Sequence, residues 1–147
     1  MSSVELVAAG VTLVVTVALG TVVHEGSHAL ALRAFGVPYE LSWLPATADG
    51  ETYHGLFGAL ASVRPLGVRQ GSAPWSLRIA AMMPLCMSVP VVLMLAGVLP
   101  DPVASGNLVG TAAVIGWLAC ALPSPQDFSI LWYADRAIRA QGDSLPS

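Results

Sequence analysis

The segment His24-Glu25-Gly26-Ser27-His28 places two imidazoles and a carboxylate within five positions. On a helix, residues four apart project from one face, so both histidines can reach a single zinc ion. Glu25 between them is then placed to act on a water at that ion. The motif directly follows an uncharged run, Leu6–Val23. A single histidine in an apolar helix is more often a hydrogen-bonded structural residue. Here, however, two of the three histidines and one of the four glutamates fall together at the edge of that run. Ionisable groups at membrane depth are costly to insert and mark function by default. The pattern points to zinc-dependent hydrolysis carried out within a bilayer.

The elements that must position these residues follow from the hydropathy. Of the 147 residues, 55% are hydrophobic and only 10% are charged, with a mean hydropathy of +0.71. A soluble domain would carry about a quarter charged residues, so this chain cannot cover a water-facing surface and is expected to be an integral membrane protein. Three uncharged runs, Leu6–Val23, Ile79–Pro100 and Pro102–Gln126, reach the roughly 18 residues that a spanning helix needs. The expected fold is an all-α membrane protein of three transmembrane helices over about 5–33, 77–100 and 106–134, in one domain covering residues 1–147. The first run lacks a basic region before it, so it is expected to be a retained span and not a cleaved signal peptide.

All six basic residues are arginines. Arg33, Arg64, Arg69 and Arg78 lie at or between the first and second runs, and Arg136 and Arg139 follow the third. The positive-inside rule therefore predicts an outer N-terminus, a cytoplasmic loop over about 36–75, an outer turn at Asp101 and a cytoplasmic C-terminus, in the cell membrane. Trp75 and the Trp132-Tyr133 pair suit an aromatic belt at the inner interface. A formal charge of −3 with no basic patch argues against a nucleic-acid partner. Within the loop, Tyr39–Trp43 alternates like a strand, and Asp49-Gly50 before Glu51-Thr52-Tyr53 is a tight-turn signal, so a β-hairpin is expected there. The rest of the loop, with Pro65, Gly67, Gly71 and Pro74, reads as irregular. His54 in this loop reads as a solvated or turn-capping residue, with a substrate or metal contact as the sharper alternative. Cys86 and Cys120 lie in apolar runs without metal-type spacing and read as small hydrophobes.

A catalytic zinc takes three protein ligands and leaves a position for water, so His24 and His28 need a partner. The other carboxylates are Glu5, Glu40, Asp49, Glu51, Asp101, Asp127, Asp135 and Asp143. His24 lies roughly 27 Å from the outer end of the first span, and Asp127 roughly 30 Å beyond Asn107 along the third, at helical rise. Both spans run from outside to inside, so the two residues reach a similar depth near the cytoplasmic leaflet. Asp101 falls on the opposite side and Glu5 a full span away. Asp127 follows Leu122-Pro123-Ser124-Pro125-Gln126, where two prolines break the helix; irregular backbone at this depth is tolerated where it lines a cavity or is buried in protein. One reading makes Asp127 the third ligand; the other makes it the N-cap of an interfacial helix.

The segment from His24-Glu25-Gly26-Ser27-His28-Ala29 through Gly36-Val37 resembles the HExxHA…GV segment of the site-2 proteases, a family of intramembrane zinc metalloproteases. Leu122-Pro123-Ser124-Pro125-Gln126-Asp127 is similar to that family's proline-rich motif ending in a metal-binding aspartate, and Ile79-Ala80-Ala81-Met82-Met83-Pro84 resembles the start of its middle core helix. The likeness covers all three spans in order and is to the minimal three-span core, without a PDZ or other accessory domain. The chain departs from the pattern at Phe128, where the family has glycine; at Cys120-Ala121, where it has asparagine; and at Met82-Met83, where it has small residues. The resemblance implies that His24, His28 and Asp127 bind Zn2+ and that Glu25 is catalytic. The substrate implied is a single-span membrane protein, cut in or near its transmembrane segment.

Three functions compete on these residues. The first is an intramembrane zinc endopeptidase with Glu25 as general base and then acid. The second is a catalytically inactive zinc-binding membrane module, a chaperone or sensor, in which the departures around Asp127 have removed proteolysis. The third is a transporter subunit with a structural histidine pair, for which three spans are few and no inverted repeat is visible. The oligomeric state, the substrate's identity and the pathway leave no signature in the sequence.

Overall fold

A computed structural model describes residues 2–43, 61–65 and 74–142. In chain order the elements are α1 (Ser3–Ala34), β1 (Tyr39–Trp43), β2 (Ala61–Pro65), α2 (Pro74–Met82), a 3-10 turn (Met83–Ser88), α3 (Val89–Leu95), α4 (Leu108–Ala121) and α5 (Pro125–Gly142). Among the described residues, three helical stretches are long and apolar enough to cross a membrane: Ser3–Ala34, Pro74–Leu95 and Leu108–Arg136. Large apolar side chains such as Leu6, Val14, Leu19, Val92 and Ile115 are exposed, as suits faces that meet hydrocarbon instead of water. The HExxH motif lies on the first of these helices.

Local signals account for the helix ends. Ser2 and Glu5 form a reciprocal capping box at the start of α1: the Glu5 N–H donates to Ser2 Oγ at 3.2 Å, and the Ser2 N–H to Glu5 Oε2 at 2.8 Å. At its other end Gly36 takes φ +68°, a left-handed conformation that costs an L side chain roughly 1–2 kcal/mol. The Val37 N–H bonds to the Leu32 carbonyl at 2.9 Å and the Gly36 N–H to that of Arg33 at 3.1 Å. This is a Schellman closure, and its apolar partners Leu32 and Val37 are both buried in one core cluster. The second apolar run extends to Pro100, but its helix stops at Leu95, because the same pair of bonds closes it: Val98 N–H to Leu93 carbonyl and Gly97 N–H to Met94 carbonyl. Asn107 then caps α4 by accepting from the Gly110 N–H at 3.0 Å.

The chain packs as two compact units, Met1–His24 with Pro84–Leu122 and Glu25–Met83 with Pro123–Ser147. In the first, small residues let helices α1 and α4 approach closely. A Cβ built on Gly20 would stand 2.7 Å from Cys120 Sγ and 2.8 Å from its Cβ, and one on Gly116 would stand 3.2 Å from the Leu13 carbonyl oxygen. Without a hydrophobic force between helices in lipid, such close approach is what drives their association. The Trp117 indole N–H donates to the Met87 carbonyl at 2.7 Å, which satisfies its polar tip in an apolar setting. Gly20→Val is therefore expected to lower the stability of the folded protein by about 1–3 kcal/mol through overpacking, read as a lower unfolding midpoint in detergent; an unchanged midpoint would show that the helices do not meet at Gly20.

In the second unit, Ala31, Leu32, Val37, Leu77, Ala80 and Ala134 form the buried cluster, with Phe35, Tyr39, Met83 and Ile130 packed against it. Helix α2 packs on α5, tied at the rim by Arg78, which donates to Asp135 Oδ2 at 2.6 Å and to the Leu131 carbonyl at 3.1 Å. Phe35 and Trp75 meet edge to face at 5.3 Å. β1 pairs antiparallel with β2, Tyr39 opposite Pro65 and Trp43 opposite Ala61. The strand at Tyr39–Trp43 is as expected, but its partner corrects the reading of Ala61–Pro65 as irregular loop. Only Val63 in that stretch is β-branched and a proline closes it, so its strand character comes from pairing and not from propensity. The Asp49-Gly50 turn, Glu51–Tyr53 and His54 lie outside the described residues.

Candidate metal centre

His24 and His28 occupy adjacent turns of α1, and both are 8% exposed. Each ring is oriented by a backbone carbonyl. His24 Nδ1 is 2.7 Å from the Cys120 carbonyl oxygen, and His28 Nδ1 is 2.8 Å from that of Ala80. A carbonyl can only accept, so Nδ1 is the donor in both contacts and Nε2 is the candidate ligand atom of each ring. A donor fixed by an outer partner in this way is the usual arrangement around metal-binding histidines.

Asp127, 5% exposed, sits in the first turn of α5. Ser124 is the helix N-cap. The Asp127 N–H donates to Ser124 Oγ at 3.2 Å, and the Ser124 N–H donates to Asp127 Oδ2 at 2.6 Å. This is a second capping box, with Pro125 at the first helical position where its missing N–H costs nothing. It corrects the alternative in which Asp127 is itself the N-cap: the carboxylate stands three residues in. With Oδ2 held by the cap, Oδ1 stands 3.1 Å from His28 Nε2. Two donors at zinc-ligand distance from one ion, set at a tetrahedral angle, stand about 3.3–3.4 Å apart. One ligand atom each from His24, His28 and Asp127 lies within 4.8 Å of the others. This buried group could hold a metal ion.

No protein-family model matches the chain, and neither a curated protein nor a solved structure matches it. The chemistry available to the centre therefore follows from its own residues.

Glu25 directly follows His24 on α1 and is half-buried. The other described carboxylates that could have competed for the ligand role are placed elsewhere. Glu5 belongs to the first capping box, Asp101 Oδ1 accepts the N–H groups of Val103 and Ala104 in the turn before α4, and Asp135 pairs with Arg78. Glu40 is exposed on β1. Asp49, Glu51 and Asp143 lie outside the described residues. Cys86 and Cys120 carry free thiols, and Cys120 Sγ donates to the Val17 carbonyl at 3.4 Å; Cys120 thus contributes to the centre through its backbone oxygen. The two orienting carbonyls and the Ser124 cap are not among the residues expected from the sequence. The cap had a visible signal, the Ser-x-x-Asp spacing; for the Ala80 carbonyl the signal is Pro84 four residues on, which marks an open acceptor but not the group that meets it.

Proposed function

We propose that the chain is an intramembrane zinc metalloendopeptidase that hydrolyses peptide bonds in or near the transmembrane segments of single-span membrane proteins. The observation that carries this reading is the convergence of His24, His28 and Asp127, beside Glu25, on helices apolar enough to cross a membrane. Two imidazoles and one carboxylate are the donor set of a catalytic zinc site, which keeps one position open. Two carboxylates, Glu25 and Asp127, in an apolar helical setting would be balanced by one divalent cation. The resemblance of the three spans to site-2 proteases supports the same reading.

When bound, zinc polarises the scissile carbonyl and acidifies water towards neutral pH. The chain's own residues do the rest. The Cys120 and Ala80 carbonyls hold the two imidazoles through Nδ1, with Nε2 as the candidate ligand atom, and the Ser124 cap holds the Asp127 carboxylate. Glu25 accepts the proton of the attacking water and returns it to the leaving amine. A substrate helix must unwind before its carbonyl can react, and β1, paired on one edge among the described residues, offers main-chain groups to hold an extended segment. The arginine distribution supports an outer N-terminus and a reacting centre towards the cytoplasmic leaflet.

The test is metal removal and return. Purified protein reconstituted with a single-span substrate in lipid vesicles is expected to lose cleavage on chelation and to regain it with stoichiometric Zn2+. Protein that holds one zinc per chain and cleaves none of a panel of single-span substrates would instead be the inactive zinc-binding module. Protein that binds no metal would sink both readings.

A further inference from the structure

The carbonyls that orient the histidines belong to helices, where a carbonyl normally accepts from the N–H four residues on. Four residues after Ala80 stands Pro84. Proline has no N–H to give, so the Ala80 carbonyl is left open at this point of the chain, and it is the oxygen that His28 Nδ1 meets at 2.8 Å. Past Met82 the chain tightens into the 3-10 turn Met83–Ser88, and Pro84 is fully buried. The second histidine meets a comparable oxygen by another route. Pro123 restricts the residue before it, and Leu122 is extended at φ −75°, ψ 135°. The Ser124 N–H, which a continued helix would give to the Cys120 carbonyl, goes to Asp127 Oδ2, and His24 Nδ1 takes the Cys120 oxygen at 2.7 Å.

We propose that Pro84 is a positioning residue for the metal centre: by withholding a main-chain N–H from the Ala80 carbonyl, it reserves that oxygen for His28 Nδ1–H and so sets Nε2 of His28 as the ligand atom. The inference rests on the metal-site reading above and deepens it. With an alanine at position 84, a new N–H would compete for the Ala80 oxygen. The His28 ring would then be free to rotate or to carry its proton on Nε2, where it cannot bind an ion.

The test separates the missing N–H from the proline ring. Zinc affinity is measured by competition with a chromophoric chelator on the full-length protein in detergent, and the His28 tautomer is read from the 15N shifts of the metal-free protein. Pro84→Ala is expected to weaken zinc binding about 10–100-fold, the usual cost of losing an outer partner, and to shift His28 away from the Nδ1–H form. Placing the α-hydroxy acid analogue of alanine at position 84, which has neither ring nor N–H, is expected to restore affinity to within a few-fold and to restore the tautomer. Wild-type affinity and tautomer in Pro84→Ala would overturn the inference. Equal losses in Pro84→Ala and the hydroxy-acid protein would also overturn it, since they would assign the effect to ring packing; this holds even if Pro84→Ala folds poorly. Wild-type protein that binds no zinc would instead overturn the metal-site reading itself.

Discussion

Glu25→Gln is expected to reduce cleavage of a reconstituted single-span substrate by about 10²- to 10⁴-fold, the usual contribution of a positioned general base and acid, while zinc content stays at the wild-type level. The amide is nearly isosteric with the carboxylate, so helix α1 and the flanking histidines keep their places, but it cannot accept the proton of the attacking water. The comparison that matters is cleavage rate against bound metal in the same sample. Unchanged cleavage with zinc bound would remove Glu25 from the mechanism. Loss of both together would assign it to holding the ion or the fold.

The second large effect concerns Asp127. In Asp127→Asn, the side-chain carbonyl can still accept from the Ser124 N–H, so the capping box at the start of α5 survives in part. What disappears is the anionic oxygen facing His28 Nε2 at 3.1 Å. Loss of one of three protein ligands is expected to weaken zinc binding by more than the roughly 10–100-fold that follows loss of an outer partner, and cleavage should fall with it. Asp127→Ala should add a cap defect of about 1 kcal/mol to the same metal loss, visible as a lower unfolding midpoint than that of Asp127→Asn. If Asp127→Asn bound zinc as tightly as wild type, the aspartate would be a capping residue only, and the third ligand would have to be sought elsewhere.

Phe128 bears on this second experiment. It stands where the site-2 protease pattern has glycine, and its side chain is exposed while that of Asp127, one position before it, is buried. On a helix, consecutive residues project about 100° apart, so a bulky residue at position 128 is compatible with an inward-facing aspartate.

Much of this arrangement is legible in the sequence because it is local. Apolar runs of spanning length announce the helices, although their ends were set by details of capping. Gly97 stops the second helix short of Pro100, and α5 carries the third stretch past the prolines to Arg136. The His24–His28 pairing needs only the helical repeat. Residue spacing alone brings Asp127 to the depth of His24, since two helices crossing the same bilayer share a ruler. β2 was not legible, because a five-residue strand with one β-branched side chain is defined by its partner and not by its own composition.

The sequence alone determined that His24 and His28 share a helix face within an uncharged setting, and that Asp127 is polar where polarity is costly. Both follow from the 3.6-residue period and from hydropathy, which are properties of neighbouring residues. Only the tertiary structure decided what those side chains meet. The carbonyls that orient the two imidazoles lie 96 and 52 positions away along the chain; Pro84 and Pro123 mark where carbonyls are left open, but nothing in the sequence says which side chain will meet them. The HExxH motif supplies two candidate ligands; the breaks at Pro84 and Pro123 leave backbone oxygens within hydrogen-bond reach of their rings.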